Sequence, residues 1–297
     1  EKVASSLMMA ASVSLLTKKI KLGTLTTNLN FYHPSILAAK IAFLDNLSAG
    51  RLILGIGSGS NRSDVELNNL IEENNYFLTL EILKLTEKLL NSKELVNIKT
   101  KNFKISSKKY GNKILGLGYF DKLYKNRKNL EYIMPALNPN SRNVVNCAKK
   151  GWGIVISNFC DEKVIENHIQ SYLKNTKLKK KEALKKIRVA RFIFVSKNNE
   201  YKKKVFSQNS PYMQVLKIIY KKLKKNKITG CFGKNDNINK IAESLFIVGT
   251  PLEIKHKILK IKKKYGNFKT LIYVHVPFSG NPFFDNSLKL FSKNVKI

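Results

Sequence analysis

The sequence predicts an α/β fold built on a parallel sheet, on three observations. Short β-branched or apolar runs alternate with longer segments of helical period along most of the 297 residues. A helical segment follows each such run, which is the order that makes strands parallel neighbours. Polar and glycine-rich residues gather where the runs end, at Thr27-Asn28, Gly57-Ser58-Gly59, Asn138 to Ser141, Ser157-Asn158 and His275. Six long strands satisfy an open doubly wound sheet and leave a (β/α)8 barrel two short, so both architectures stay open on this reading. Either places its site at the C-terminal edge of the strands.

The elements follow in order. A mostly buried helix over 5–17 precedes a strand at 20–27. Pro34 opens a helix to Leu47, because its missing N–H would be unpaired in the first turn anyway. Ser48-Ala49-Gly50 turns the chain into a strand over 51–57, a polar loop follows, and a helix runs from Phe77 to Leu90. Residues 95–130 form an irregular insertion with short β-like pieces at Val96–Ile98 and Ile114–Leu117. Strands at 132–137, 153–157, 187–196 and 270–274 complete the six. Helices are expected near 143–150, after Asp161, around 201–206 and 212–224, and over 285–293. Phe246–Val248 is a short apolar lead-in to Thr250-Pro251-Leu252-Glu253, a capping box with Pro at the first helical position. The whole of 1–297 reads as one domain.

Charge is the loudest compositional feature. Lys plus Arg is 55 against 20 acidic residues, a formal net charge of +35. Such a surplus raises nucleic acid as a partner. Only six of the 55 are arginine, whose planar fork base readers and phosphate clamps rely on. The lysines travel with abundant Asn and Ile and spread over solvated faces, so the expectation is no specific nucleic acid. A basic nucleic-acid-associated protein is kept as a lesser alternative. Cys147, Cys160 and Cys231 lack C-x-x-C spacing, which fits a reducing, cytoplasmic setting. No run reaches the roughly 20 apolar residues of a membrane span, so no membrane partner is expected.

Candidate chemistry sits at the strand ends. Gly55-Ile56-Gly57-Ser58-Gly59-Ser60 fails as a dinucleotide fingerprint, since the third glycine is misplaced and no helix begins there. A strand end that lets backbone approach a flat ligand is one reading, and a plain turn is the other. His33 and His275 stand at the rim as general acid/base or substrate-binding groups, with capping or packing as the alternative for each. His168 and His256 lie within charged helices and are expected to be exposed. No H-x-x-x-H or H-E-x-x-H spacing supports a metal. Asn138-Pro139-Asn140-Ser141 precedes a helix, where it forms either a phosphate cup or an ordinary N-cap.

Residues 17–64, TKKIKLGTLTTNLNFYHPSILAAKIAFLDNLSAGRLILGIGSGSNRSD, resemble the luciferase-like flavin-dependent monooxygenase superfamily. The shared pattern is a G-T strand, a helix opened by H-P, then L-D-x-L-S-x-G-R and a strand ending G-x-G. YIMPALNPNSRNVVNCAKKGWGIVIS (132–157) and VGTPLEIKHKILKIKKKYGNFKTLIYVHV (248–276) resemble later segments of the limonene- or alkanal-type branch.

The resemblance implies a TIM barrel of the luciferase-like type. It would use reduced FMN, or less readily a deazaflavin, with O2. A separate reductase would supply the flavin, and the protein would act as a homodimer. A flavin C4a-hydroperoxide would then oxygenate a small apolar substrate in a pocket poor in water. By motif, Thr27 and Asn28 would flank the flavin ring and Gly57 and Ser58 would line its crevice. Asn138, Asn140 and Ser141 would hold the phosphate, with His33 and His275 on the substrate side. The family pattern opens with two strands, the second ending in E-H-H, that have no counterpart here. Six of eight strands are therefore expected. Asn138 replaces the family's Ser, Lys269 replaces a Gly, and Asn74-Asn75-Tyr76 stands where an Arg is common. These departures imply, as an alternative, a catalytically inactive flavin-binding paralogue or gene fragment.

Overall fold

The computed structural model describes residues 5–59, 62–70, 75–120, 130–225, 237–266, 268, 270–274 and 282–295. The chain divides into two compact units, Glu1–Met134 and Pro135–Ile297.

The first unit begins with α1 (Ser6–Leu16), β1 (Leu22–Gly23) and β2 (Thr27–Asn28). A 3-10 turn (Leu29–Phe31), α2 (Pro34–Leu47), β3 (Leu52–Gly57), α3 (Arg62–Leu67) and α4 (Asn75–Leu90) follow. The single strand expected at 20–27 is two short strands, both parallel to β3. β1 pairs its lower half, with Leu22 opposite Leu52, and β2 its upper half, with Thr27 opposite Ile56. The peptide between them, Leu25–Thr26, is cis. β4 (Asn97–Lys99) and β5 (Lys104–Ser106) form an antiparallel hairpin. Ile114–Leu117 is not a strand, since one isolated bridge, Asn112 to Leu117, is all it contributes. β6 (Glu131–Ala136) pairs its first residues in parallel with β3.

The helix expected to be mostly buried is not. α1 buries Leu7, Ala10 and Ser14 but leaves Met8, Met9, Leu15 and Leu16 exposed, because its apolar residues are spread round the helix and one side meets α2. The turn Ser48-Ala49-Gly50 behaves as its residues dictate. Ala49 and Gly50 take φ of 53° and 75°, and the Gly50 N–H donates to the Asp45 carbonyl at 2.8 Å. Arg51 locks the corner, donating from Nε to Ser48 O at 2.7 Å, from Nη1 to Thr17 Oγ1 and Ile20 O, and from Nη2 to Ser14 O.

The second unit carries α5 (Arg142–Lys150), β7 (Gly153–Ile156), α6 (Glu162–Asn175), α7 (Lys180–Lys185) and β8 (Ile187–Val195). Then come α8 (Glu200–Val205), α9 (Pro211–Lys225), α10 (Ile238–Leu245), β9 (Phe246–Gly249), α11 (Pro251–Tyr265), β10 (Thr270–Val274) and α12 (Pro282–Asn294). β8 is its spine, with β7, β9 and β10 all parallel to it. All nine of its residues are buried.

Alternation decides what each face of β8 meets. Phe192 and Phe194 pack with Tyr201, Val205, Tyr212, Met213 and Leu245 from α8, α9 and α10. Ile193 and Val195 pack with Ile254, Ile258, Leu290 and Phe291 from α11 and α12. Phe246–Val248, read from sequence as a lead-in, lies in the strand β9, because Phe192 to Val195 provide a complete partner edge for Phe246–Gly249. The capping box forms as expected: Thr250 Oγ1 accepts from the Glu253 N–H at 3.5 Å, and the Thr250 N–H donates to Glu253 Oε2 at 2.7 Å.

Candidate functional site

On the first unit, β2 and β3 end side by side, with Asn28 opposite Gly57. Thr27, Asn28, Gly57 and Ser58 are thereby brought to one strand edge. The glycines there answer first to the chain itself. A Cβ on Gly55 would overlap the Thr24 carbonyl; one on Gly57 would overlap Thr26 Oγ1 and lie 2.9 Å from Asn28 Oδ1. Gly59, at φ 73°, would bring its Cβ only into ordinary contact with Asn28 and Phe31 at 3.8 Å. Thr27 is buried, and its hydroxyl shares a 3.0 Å hydrogen bond with Ser6, so its side chain ties β2 to α1. Asn28 is half-buried at the end of the strand.

Sequence reasoning missed Asn30, the residue that holds this edge together. Its Nδ2 donates to Ser58 O at 3.1 Å and to Asn75 O at 3.0 Å, while its Oδ1 accepts from Thr79 Oγ1 at 2.9 Å. One buried amide thus joins the 3-10 turn, the loop after β3 and the start of α4. The available signal was its place between Leu29 and Phe31, which marks a polar residue in an apolar turn. Asn75 is itself buried, and its Oδ1 has no hydrogen-bond partner among the described residues. An acceptor left in that state costs free energy unless a donor reaches it.

His33 is the N-cap of α2. Its Nδ1 accepts from the Ser35 N–H at 3.4 Å and lies 2.7 Å from Ser35 Oγ, and its ring meets Phe103 edge-on at 5.6 Å. This geometry assigns the capping role and the tautomer with hydrogen on Nε2. The ring is exposed.

On the second unit, Asn138 and Asn140 are exposed and Asn140 has φ of 57°. Ser141 is the N-cap of α5, but its side chain makes no capping hydrogen bond, and no acidic residue lies in the first turn. Asn143 Nδ2 donates to Pro135 O at 2.9 Å, fastening the helix start to β6. An uncapped helix start without a carboxylate is a fitting receptor for a phosphate, since the amides and the helix dipole both favour negative charge. His275 lies outside the described residues, as does Cys231.

His168 reverses its expectation. It is fully buried on α6, and neither ring nitrogen has a hydrogen-bond partner among the described residues. Burial holds its pKa down at about 4, and the nearby Leu137 carbonyl pulls weakly the other way without reaching hydrogen-bond geometry. The ring is neutral at pH 7. His256 is exposed, as expected. Arg191 is buried as well, donating to Ala190 O at 2.9 Å and Ser157 O at 3.5 Å. Burial lowers its pKa, and neighbouring Cys160, Tyr265 and Glu162 counteract that. A separate cavity of about 660 Å3 opens beyond β8, lined by Ser196, Lys197, Asn198, Lys289 and Lys293 among others; among the described residues, none of the predicted site residues borders it. Among the described residues no His/Cys/Asp/Glu group could hold a metal, and no helix is long and apolar enough to cross a membrane.

Comparison with known proteins meets this geometry at the first unit. Residues 1–108 match the family model described as luciferase-like monooxygenase. The chain is 31% identical over 103 residues to 4-hydroxyprotoasukamycin monooxygenase of Streptomyces nodosus subsp. asukaensis, covering 35% of this chain and 28% of that protein. It is 39% identical over 67 residues to limonene 1,2-monooxygenase of Rhodococcus erythropolis, covering 23% and 17%. The matched stretches thus span less than a third of either relative. In fold, the oxygenating constituent of 3,6-diketocamphane monooxygenase from Pseudomonas putida, solved in complex with FMN, aligns with a TM-score of 0.79 at 20% identity, over 97% of this chain and 82% of that one. An F420-dependent secondary alcohol dehydrogenase aligns with a TM-score of 0.69 at 15% identity, over 99% and 85%. The α/β fold is that of the TIM-barrel luciferase-like structures, which decides between the two architectures left open by the strand count. Over residues 1–108 the chain thus matches the luciferase-like monooxygenase family model in sequence, and over nearly its whole length it shares the fold of the structures named above.

Proposed function

We propose that this chain is a flavin-dependent monooxygenase that takes reduced FMN and O2 and oxygenates a small apolar substrate. The observation that carries the proposal is the family match over 1–108, the stretch whose strand edge holds Asn28, Gly57 and Ser58. The residues present suit the cofactor. Gly59 leaves room at that edge, Asn75 Oδ1 lacks a donor among the described residues, and the start of α5 offers uncapped amides. In this proposal Asn28, Gly57 and Ser58 contact the ring, and Thr27 acts by fixing β2. Asn138, Asn140 and Ser141 contact the phosphate.

When bound, reduced FMN supplies the electrons that activate O2. The chain's own work is to orient the ring, exclude water and handle protons. His33 Nε2 holds the proton for that role, Nδ1 being occupied by Ser35, and His275 is assigned to the substrate side. A separate flavin reductase, a homodimer and a cytoplasmic setting complete the proposal. FMN is preferred to a deazaflavin because the FMN complex has the higher TM-score of the two structural relatives above.

The test is anaerobic titration of the protein with reduced FMN and with reduced deazaflavin. Aerobic assay of terpene and aldehyde oxygenation follows, with a flavin reductase supplying FMN. FMN binding with O2-dependent product formation is the expected result; no binding of either cofactor sinks the proposal. The capping role of His33 favours one second reading, a flavin-binding paralogue that does not turn over. That reading gives tight FMN binding and no product.

A further inference from the structure

The loop that follows the β4–β5 hairpin holds apolar side chains out in solvent on a rigid support. The Asn112 N–H donates to the Leu117 carbonyl at 3.0 Å, and the Leu117 N–H donates back to Asn112 O at 2.9 Å. Lys113 to Gly116 turn the chain between them. Gly116 takes φ of 70°, and its N–H donates to Lys113 O at 3.3 Å; the Leu115 N–H donates to Asn112 Oδ1 at 3.0 Å. The tip of this turn is Ile114-Leu115, 92% and 70% exposed. Turn tips ordinarily carry Gly, Asn, Asp or Ser, which suit the backbone there and leave no apolar surface in water. Here four hydrogen bonds fix two large aliphatic side chains in that place.

The base of the loop is fixed as well. The Ser107 N–H donates to Val96 O at 2.9 Å and the Val96 N–H to Ser107 Oγ at 3.0 Å, while a Cβ on Gly111 would overlap the Leu95 side chain and the Ser107 carbonyl. Charge along this stretch has one sign. Residues 96–120 hold six lysines and no acidic residue. Lys108, Lys109 and Lys113 belong to the loop itself, and all three are exposed. Tyr110 is 80% exposed, with the Lys109 ammonium 5.1 Å from its ring centroid. An aliphatic tip, an amphipathic ring and a set of lysines match the successive layers of an anionic bilayer: hydrocarbon, interface and headgroup charge. A protruding tip also suits a fluid surface, which parts to admit it, whereas a protein partner would need a socket of matching shape.

We propose that residues 108–117 are a docking loop for an anionic membrane surface: Ile114 and Leu115 enter the edge of the hydrocarbon layer, and Lys108, Lys109 and Lys113 meet acidic lipid headgroups. Docking of this kind needs no helix that crosses the bilayer. It is independent of the flavin chemistry proposed above. The two parts leave different signatures, since salt screens the lysine contacts and leaves aliphatic burial in place.

The experiment sediments the full chain with vesicles of phosphatidylcholine and phosphatidylglycerol. A net charge of +35 draws the chain to any anionic surface, so the variants carry the test. Ile114→Ser with Leu115→Ser is expected to weaken binding about ten-fold or more, through lost burial of two aliphatic side chains. Lys108→Gln, Lys109→Gln and Lys113→Gln should each weaken it about five-fold. The controls are Leu252→Ser and the triple change Lys255→Gln, Lys260→Gln and Lys263→Gln, all at exposed positions of α11. They should stay within about two-fold of wild type, because charges far from the contact are screened. Leu115→Trp reads insertion directly: Trp152 is the chain's single tryptophan, so quenching by brominated lipid beyond that of wild type comes from the tip. All these positions are exposed, and a urea midpoint equal to that of wild type checks that each variant is folded. Weaker binding of the loop variants together with quenching of the added tryptophan is the expected result. Undiminished binding of the Ile114 and Leu115 variant overturns the proposal, as does an equal loss in loop and control variants. A wild type that leaves the vesicles unbound, or an added tryptophan that stays unquenched on them, overturns it too.

Discussion

Single residues here owe their identity to specific neighbours. Gly55 has the Thr24 carbonyl where a Cβ would go, so Gly55→Ala forces β3 and the segment before β2 apart. Overpacking of that kind costs about 1–3 kcal/mol, readable as a lower urea midpoint. Arg51 serves four acceptors from three stretches of chain. Arg51→Ala is expected to cost about 2–3 kcal/mol, because these are hydrogen bonds from a charged donor; Arg51→Lys should recover little, a single ammonium being unable to span them. The L-D-x-L-S-x-G-R string was legible in the sequence as a pattern, and its cause is this corner rather than chemistry. His168 was legible too, had its spacing been weighed. It lies three or four residues from Val164, Ile165 and Tyr172, which puts it on the buried stripe of α6 despite the charges around it. Asn30 was not legible, since its partners at Ser58, Asn75 and Thr79 are 28 to 49 residues away.

At the scale of elements, boundaries followed local signals and failures followed tertiary ones. Pro34, Asp161 and the Thr250 box each mark a helix start where expected, because a cap depends on neighbours within one turn. Thr250→Ala should cost about 1 kcal/mol, seen as a small fall in thermal midpoint. Glu253 adds a second tie, for Tyr201 donates to it at 3.3 Å, and the Thr250 N–H holds its carboxyl below the usual range. β9 escaped notice because four apolar residues mean nothing until β8 lies alongside. The split of the expected 20–27 strand is equally non-local, since β3 decides which residues pair. Asn30→Ala tests how one turn governs an element: three hydrogen bonds go, and Thr79 and Asn75 O lose their shared partner. The expected result is about 2–3 kcal/mol of stability lost, with faster amide exchange near Ser58 and at the start of α4.

For the molecule as a whole, the pH dependence of stability has an identifiable source in His168. Its folded pKa of about 4 lies below the ordinary 6.5, so between those values the unfolded chain binds the extra proton and the folded chain does not. Stability is therefore full above about pH 6.5 and falls as the pH drops toward 4, by about 3 kcal/mol for that interval. Urea denaturation at pH 7.5 and pH 4.5 checks this, and His168→Leu should flatten the difference. Net charge of +35 adds self-repulsion that salt relieves, which separates the two effects, because a buried ring is insensitive to screening. The same interior has a kinetic side. β8 has all nine residues out of water, aromatic packing over one face and aliphatic packing with α11 and α12 over the other, and three parallel partners on its edges. Such a strand has no local way to open, so its amides exchange only when the surrounding unit unfolds. Deuterium should reach 187–195 last, and the lifetime of those protons is a clock for the unfolding of residues 135–297.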